Sequence, residues 1–165
     1  MNTAVILIDM QTDFIDEIEH KKRKEIIQGQ IGVLQACSKN DIPVITLEYA
    51  NHGGTIAILR RYIGRVPRTQ TIIKKSDDGF SNQQLKDELD KLDAKTLLLM
   101  GINANHCVKR TAESALKLGY RTVTAHNLIA NGCACDGHCS NYQEWYTANG
   151  LFSDQPLQLV TSHTA

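Results

Sequence analysis

The stretch Leu97-Leu98-Leu99-Met100-Gly101-Ile102-Asn103-Ala104-Asn105-His106-Cys107-Val108 decides the fold. An apolar run that ends in Gly and passes into short polar residues reads as a buried strand, a tight turn and a helix start. A helical pattern follows through Ala112, Ala115, Leu116 and Leu118 and stops at Gly119. Cys107 therefore falls at a helix N-terminus, where unpaired backbone N–H groups and the macrodipole favour negative charge. A thiol there is expected to ionise more easily, and the thiolate is the nucleophilic form. The competing reading is a small buried hydrophobe.

Outward from this unit, strands and helices alternate. Apolar runs predict strands over residues 4–8, 44–47, 71–73, 96–100, 121–125 and 157–160. Helical spacing predicts helices over 18–39, around 56–62, and over 82–92 with Ser81 as N-cap. A further helix contains Tyr142, Trp145 and Tyr146. The fold class expected is α/β. Residues 1–165 form one Rossmann-like domain, a three-layer sandwich with a mainly parallel six-stranded sheet and helices on both faces.

Composition narrows the partners. The 165 residues balance 18 Lys and Arg against 18 Asp and Glu. That is not the basic footprint of a nucleic-acid binder, and no apolar run is long enough for a membrane span. The basic cluster Lys21-Lys22-Arg23-Lys24 opens a helical pattern and reads as a solvated face. No signal-type segment is recognised, so a cytoplasmic location is expected. Five cysteines then imply reduced thiols. Cys133, Cys135, His138 and Cys139 crowd one Gly-containing loop, as metal or redox ligands or as surface thiols. Their spacing lacks the paired Cys-x-x-Cys units of common structural zinc sites.

In parallel sheets, sites form at the carboxyl ends of strands. Asp9 ends the first strand, Lys74 the third, and Cys107 follows the fourth. A carboxylate can take a thiol proton, an ammonium can stabilise the charged pair, and a thiolate can attack a carbonyl. Lys75 could replace Lys74 in this catalytic triad.

These segments resemble the isochorismatase-like cysteine hydrolases, which include nicotinamidases and carbamoylsarcosine amidases. Val5-Ile6-Leu7-Ile8-Asp9-Met10-Gln11-Thr12-Asp13-Phe14 is similar to their opening motif, and Gly101 to Ala112 to their nucleophile segment. Lys74 to Phe80 has their lysine-to-aromatic spacing. The resemblance implies Asp9 as general base and acid, Lys74 as charge stabiliser and Cys107 as nucleophile. It also implies a cis peptide bond between Ile102 and Asn103, and an oxyanion hole from the backbone N–H groups of Asn103 and Cys107. Phe14 would be a substrate-pocket aromatic. The implied activity is metal-independent cleavage of a small amide through a Cys107 thioester, in a homo-oligomer (dimer or tetramer). Thr12 departs from the Asn common in the motif, and His52 is the single His where a nicotinamidase has an Asp and two His. Neither metal nor other cofactor is therefore expected. A catalytically weak binding or scaffold member of the same fold is the alternative.

Overall fold

The strands sort by how completely the sheet must be covered. In the computed structural model, which describes residues 2–132 and 141–161, β1 (Thr3–Ile8) and β4 (Thr96–Ile102) are buried along their whole length. Their continuous apolar runs suit strands covered on both faces. β2 (Val44–Tyr49) flanks β1, and β3 (Thr69–Lys74) closes that edge with alternating burial. β5 (Arg121–Val123) and β6 (Ile129–Ala130) both pair with β4, one after the other along its length. The order is β3-β2-β1-β4-β5, and all pairings of these six strands are parallel.

Between them run α1 (Thr12–Ile15), α2 (His20–Asn40), α3 (Ala57–Ile63), α4 (Gln83–Lys91), α5 (Cys107–Lys117) and α6 (Gln143–Ala148). α2 packs with α3, whereas α5 packs with β4, β5 and the 3-10 turn Gly79–Ser81. Glu19 caps α2 by accepting from the N–H groups of Lys21 and Lys22, and Lys22 and Arg23 reach Glu25 and Asp16 at the surface. The basic cluster is thus part of a paired, solvated helix start.

Two expectations are corrected. Residues 157–160 are not a strand: Pro156–Val160 is a 3-10 helix with Pro at its first turn, where the missing N–H is no loss. Only Val160 of that turn is buried, and Leu157 stays 46% exposed. The sixth strand is the two-residue β6, where its apolar run is too short to stand out. The cap of α4 is Asn82, whose side chain accepts from the Gln84 N–H, while Ser81 ends the preceding turn.

Gly101 is fixed by the sheet. Its φ is +139°, and a Cβ there would lie 2.0 Å from the Ile8 carbonyl oxygen. Only a residue without a side chain lets β4 run this close to the end of β1.

Candidate active site

The sheet order places a topological switch between β1 and β4, because β1 pairs β2 on one side and β4 on the other. Connections leave these two strand ends in opposite senses and open a crevice there. Asp9 follows β1, and Cys107 opens α5 after β4, so the chain's topology carries both to the crevice.

Asp9 takes a left-handed backbone, with φ at 52°, and is 2% exposed. Its backbone carbonyl accepts from the Gln11 N–H at 2.7 Å, which closes the turn. Gln11 is fully buried and ties this turn to the end of β2. Its amide donates to the Tyr49 and Gly53 carbonyls at 3.0 and 2.6 Å and accepts from the Tyr49 N–H at 2.7 Å.

Lys74, the last residue of β3, is 1% exposed and reaches across β2 to Asp9. Its ammonium lies 2.8 Å from Asp9 Oδ2, donates to the Ser76 carbonyl at 3.0 Å and sits 4.3 Å from the Tyr49 ring centroid. Lys75 is exposed, and its carbonyl accepts from the Tyr49 hydroxyl. Of the two candidate lysines, the structure brings Lys74 into the site.

Neither Asp9 oxygen receives an aligned hydrogen bond from the described residues, and the Lys74 contact is an ion pair at close range. Burial pushes the Asp9 carboxyl above its ordinary range, against the pull of Lys74 and the neighbouring Cys107 thiol. Cys107 is 7% exposed. Burial raises its thiol well above the ordinary value, and the Asp9 charge raises it further. The helix start was expected to ease ionisation; here desolvation and a neighbouring carboxylate outweigh it. Both groups therefore hold a proton more strongly than they would in water.

The β4–α5 turn is held from behind. The Ile102–Asn103 peptide bond is cis. Asn103 Oδ1 accepts from the Gly132 N–H at 2.8 Å, and Ala104 and Asn105 donate their N–H groups to the Ala130 carbonyl and Asn131 Oδ1. Tyr146, fully buried in α6, donates to the Ala104 carbonyl at 2.6 Å. Cys107 is the first residue of α5, so its N–H belongs to those without an intrahelical acceptor.

Asp9, Ile102, Asn103 and Cys107 floor a pocket of about 380 Å³, within the range of small-molecule sites. Phe14, Tyr49 and His52 form an aromatic wall, with Phe14 and His52 rings 4.5 Å apart. Asp77 and His106 complete the lining. Among the described residues, Trp145 and Tyr142 are not part of it; Trp145 packs edge-on against Tyr146.

Asp77 was not singled out from the sequence, yet its Oδ1 accepts from the Cys107 thiol at 3.6 Å. It sits in the loop between Lys74 and Phe80, and the loop is clamped to α5. The Gly79 N–H donates to Thr111 Oγ1 at 2.9 Å, and Ser114 Oγ donates to Asp78 Oδ2 at 2.6 Å. A signal was available in the sequence: two adjacent acids inside the motif spacing that already marked Lys74.

His52 pairs with Asp13 at 3.3 Å, but no group of three His, Cys, Asp or Glu among the described residues could hold a metal. The residues present do not fit the nicotinamidase-type ligand set of an Asp with two His. The Cys133, Cys135, His138 and Cys139 loop lies outside the described residues. No described helix is long and apolar enough to cross a membrane.

The chain is similar to known proteins in sequence and fold. A streptothricin hydrolase from Streptomyces noursei is 27% identical over 135 residues, covering 77% of this chain and 49% of its own length. The chain thus spans about half the length of that curated relative. A probable inactive nicotinamidase from Arabidopsis thaliana is 26% identical over 151 residues, covering 74% of this chain and 77% of its own. The crystal structure of N-carbamoylsarcosine amidase from Thermoplasma acidophilum has the same fold, with a TM-score of 0.75 at 20% identity, covering 90% of this chain and 92% of that one. The isochorismatase domain model matches residues 3–138, most of the chain, and the chain therefore belongs to the isochorismatase family.

Proposed function

We propose that the chain is a metal-independent cysteine hydrolase that cleaves a small amide, with Cys107 as nucleophile, Asp9 as general base and acid, and Lys74 as charge stabiliser. One observation carries this reading: a buried carboxylate without an aligned donor lies between an ammonium 2.8 Å away and a buried thiol at a pocket floor. The hydrolase and amidase among the chain's relatives support it.

In the resting site the thiol is neutral. As the substrate carbonyl approaches, Cys107 gives its proton to Asp9, whose raised affinity for protons makes it a suitable acceptor, and sulfur bonds to the carbonyl carbon. Lys74 balances the charge that Asp9 carries beforehand. The oxygen's developing charge meets the N–H groups of Asn103 and Cys107. Protonated Asp9 then gives its proton to the leaving nitrogen as the C–N bond breaks. Water adds to the thioester, its proton passes to Asp9, and the C–S bond breaks. The proton returns to sulfur, leaving a carboxylic acid and an amine or ammonia.

Incubation with a panel of small amides is expected to release ammonia or amine. Cys107→Ala should lose at least about a thousandfold in kcat, and Asp9→Asn about a hundredfold or more. Activity that survives Cys107→Ala overturns the covalent route. A second reading, a fold that binds without turnover, is favoured by the relative named a probable inactive nicotinamidase. It predicts substrate binding to the wild type with no thioester adduct in rapid-quench mass spectra.

A further inference from the structure

Two carboxylates line the pocket, Asp9 and Asp77, and they differ in their partners. Asp9 has Lys74 at 2.8 Å, while Asp13, outside the lining, lies 3.3 Å from the His52 ring. Asp78 is spent on the Phe80 N–H and the Ser114 hydroxyl. Asp77 has no cation beside it among the described residues, although its carboxylate lines the pocket within 3.6 Å of the Cys107 sulfur.

We propose that Asp77 is the specificity-determining carboxylate of this site and selects amides bearing a positive charge, an ammonium or guanidinium, close to the scissile carbonyl. This rests on the amide-hydrolase reading and adds the substrate's charge to it.

Three observations support the assignment. First, the position is built. Gly79 is held on Thr111 and Asp78 on Ser114, so the loop just after the carboxylate is fixed against α5, and the Lys74 ammonium holds the Ser76 carbonyl just before it. A Cβ on Gly79 would lie 2.5 Å from Leu47 and 3.2 Å from Thr111 Oγ1, so the glycine lets the loop dock this closely without displacing the Leu47 side chain. Second, Asp77 is half-buried, whereas Asp9 is sealed against Lys74. Asp77 is the carboxylate that a ligand entering the pocket meets. Third, the same pocket offers the Phe14 ring, a surface that accepts a cation, whereas the Tyr49 ring already carries the Lys74 ammonium at 4.3 Å.

The arrangement has a consequence for the chemistry. An uncompensated carboxylate beside the thiol opposes formation of the thiolate, and Asp77 adds to the larger effects of burial and Asp9. A cationic group seated on Asp77 cancels that opposition just as the carbonyl arrives. A neutral or anionic amide brings no such relief. Charge selection and nucleophile activation are then the same event.

The test labels Cys107 in the full chain with methanethiosulfonates: 2-aminoethyl (cationic), propyl (neutral, the size of 2-aminoethyl) and 2-sulfonatoethyl (anionic). The thiolate bonds to the reagent's sulfenyl sulfur and expels methanesulfinate, leaving a mixed disulfide that peptide mass spectrometry reads at Cys107. The cation-to-anion rate ratio is referred to that of glutathione. The wild type is expected to exceed glutathione's ratio by at least about tenfold, the scale of one uncompensated charge at short range. Asp77→Asn should fall to within about threefold of glutathione, and Asp77→Glu should keep the preference. Using the ratio removes any general change in thiol reactivity. A wild-type ratio equal to glutathione's, or one unchanged in Asp77→Asn, overturns the proposal.

A pair of amides differing only in one ammonium group forms the second arm. Faster hydrolysis of the neutral member also overturns the proposal, as does loss of both activities in Asp77→Asn, which would make Asp77 the base. If neither amide is cleaved while the labelling preference holds, the amide-hydrolase reading fails and the charge selection stands.

Discussion

At Asp9 two destabilising features meet in one residue: a left-handed backbone and a carboxylate sealed from water. Asn tolerates that backbone nearly as well as Asp, so Asp9→Asn isolates the charge. It leaves the Lys74 ammonium buried with no anion, a situation that typically destabilises by about 3–5 kcal/mol. Asp9→Asn with Lys74→Met removes both charges and is expected to recover more than half of that loss. Urea unfolding of the two single variants and the double variant measures the coupling. Additive losses would mean that the 2.8 Å contact carries no net interaction. The pH dependence has a definite sign. With the folded pKa raised, folded Asp9 holds a proton that the unfolded chain has released, so its contribution is present below the unfolded carboxyl pKa. That contribution is lost as pH rises through the folded pKa. Asp9→Asn removes this slope.

Elements turn such residues into a site, and glycines mark where two of them must touch. Gly101→Ala would drive a Cβ into the Ile8 backbone at 2.0 Å with φ at +139°, and neither strand can give way. Gly79→Ala meets the end of the Leu47 side chain at 2.5 Å, and a leucine terminus can shift. The expectation is about 1–3 kcal/mol of destabilisation for Gly79→Ala and loss of soluble folded protein for Gly101→Ala. Thermal denaturation and expression yield distinguish them; equal effects would mean the loop around Gly79 is as rigid as the sheet. Thr111→Val takes away the acceptor of the Gly79 N–H and is expected to cost about 1–2 kcal/mol while lowering kcat more than it raises KM. A change in KM alone would place Thr111 in binding instead of loop positioning.

The β4–α5 unit and the three strand-end residues were readable from apolar runs, Gly and turn chemistry. The loop's docking was not, because Thr111 and Ser114 look like ordinary helix-surface hydroxyls until the loop is seen lying on them. β6 was missed for a related reason: two residues carry no periodicity, and its place is set by pairing with Gly101 and Ile102. Residues 157–160 had the apolar content of a strand, and Pro156 decided against it.

On the scale of the molecule, buried thiols are expected to lower stability as the pH turns alkaline. Cys37 is fully buried in α2 and Cys107 nearly so, and neither is in a disulfide. Burial pushes the Cys37 thiol up to about 12, and the Cys107 thiol is also raised. Unfolding lets both ionise near their ordinary value of about 8.5. The folded state therefore keeps protons that the unfolded state loses once the pH passes that value. The stabilising contribution is complete below pH 8 and disappears progressively as pH climbs toward the folded pKa. For each thiol the loss should reach about 2–3 kcal/mol by pH 10.5. Other groups titrate in the same range, so the comparison is between wild type and Cys37→Ala. The variant starts less stable because of its small cavity, by about 1 kcal/mol. Between pH 8 and pH 10.5 its unfolding free energy should gain about 2–3 kcal/mol on the wild type, so the two curves cross. Parallel curves in urea titrations would show that water reaches Cys37 in the folded protein. The core between α2 and the sheet would then be less tightly closed than its burial implies.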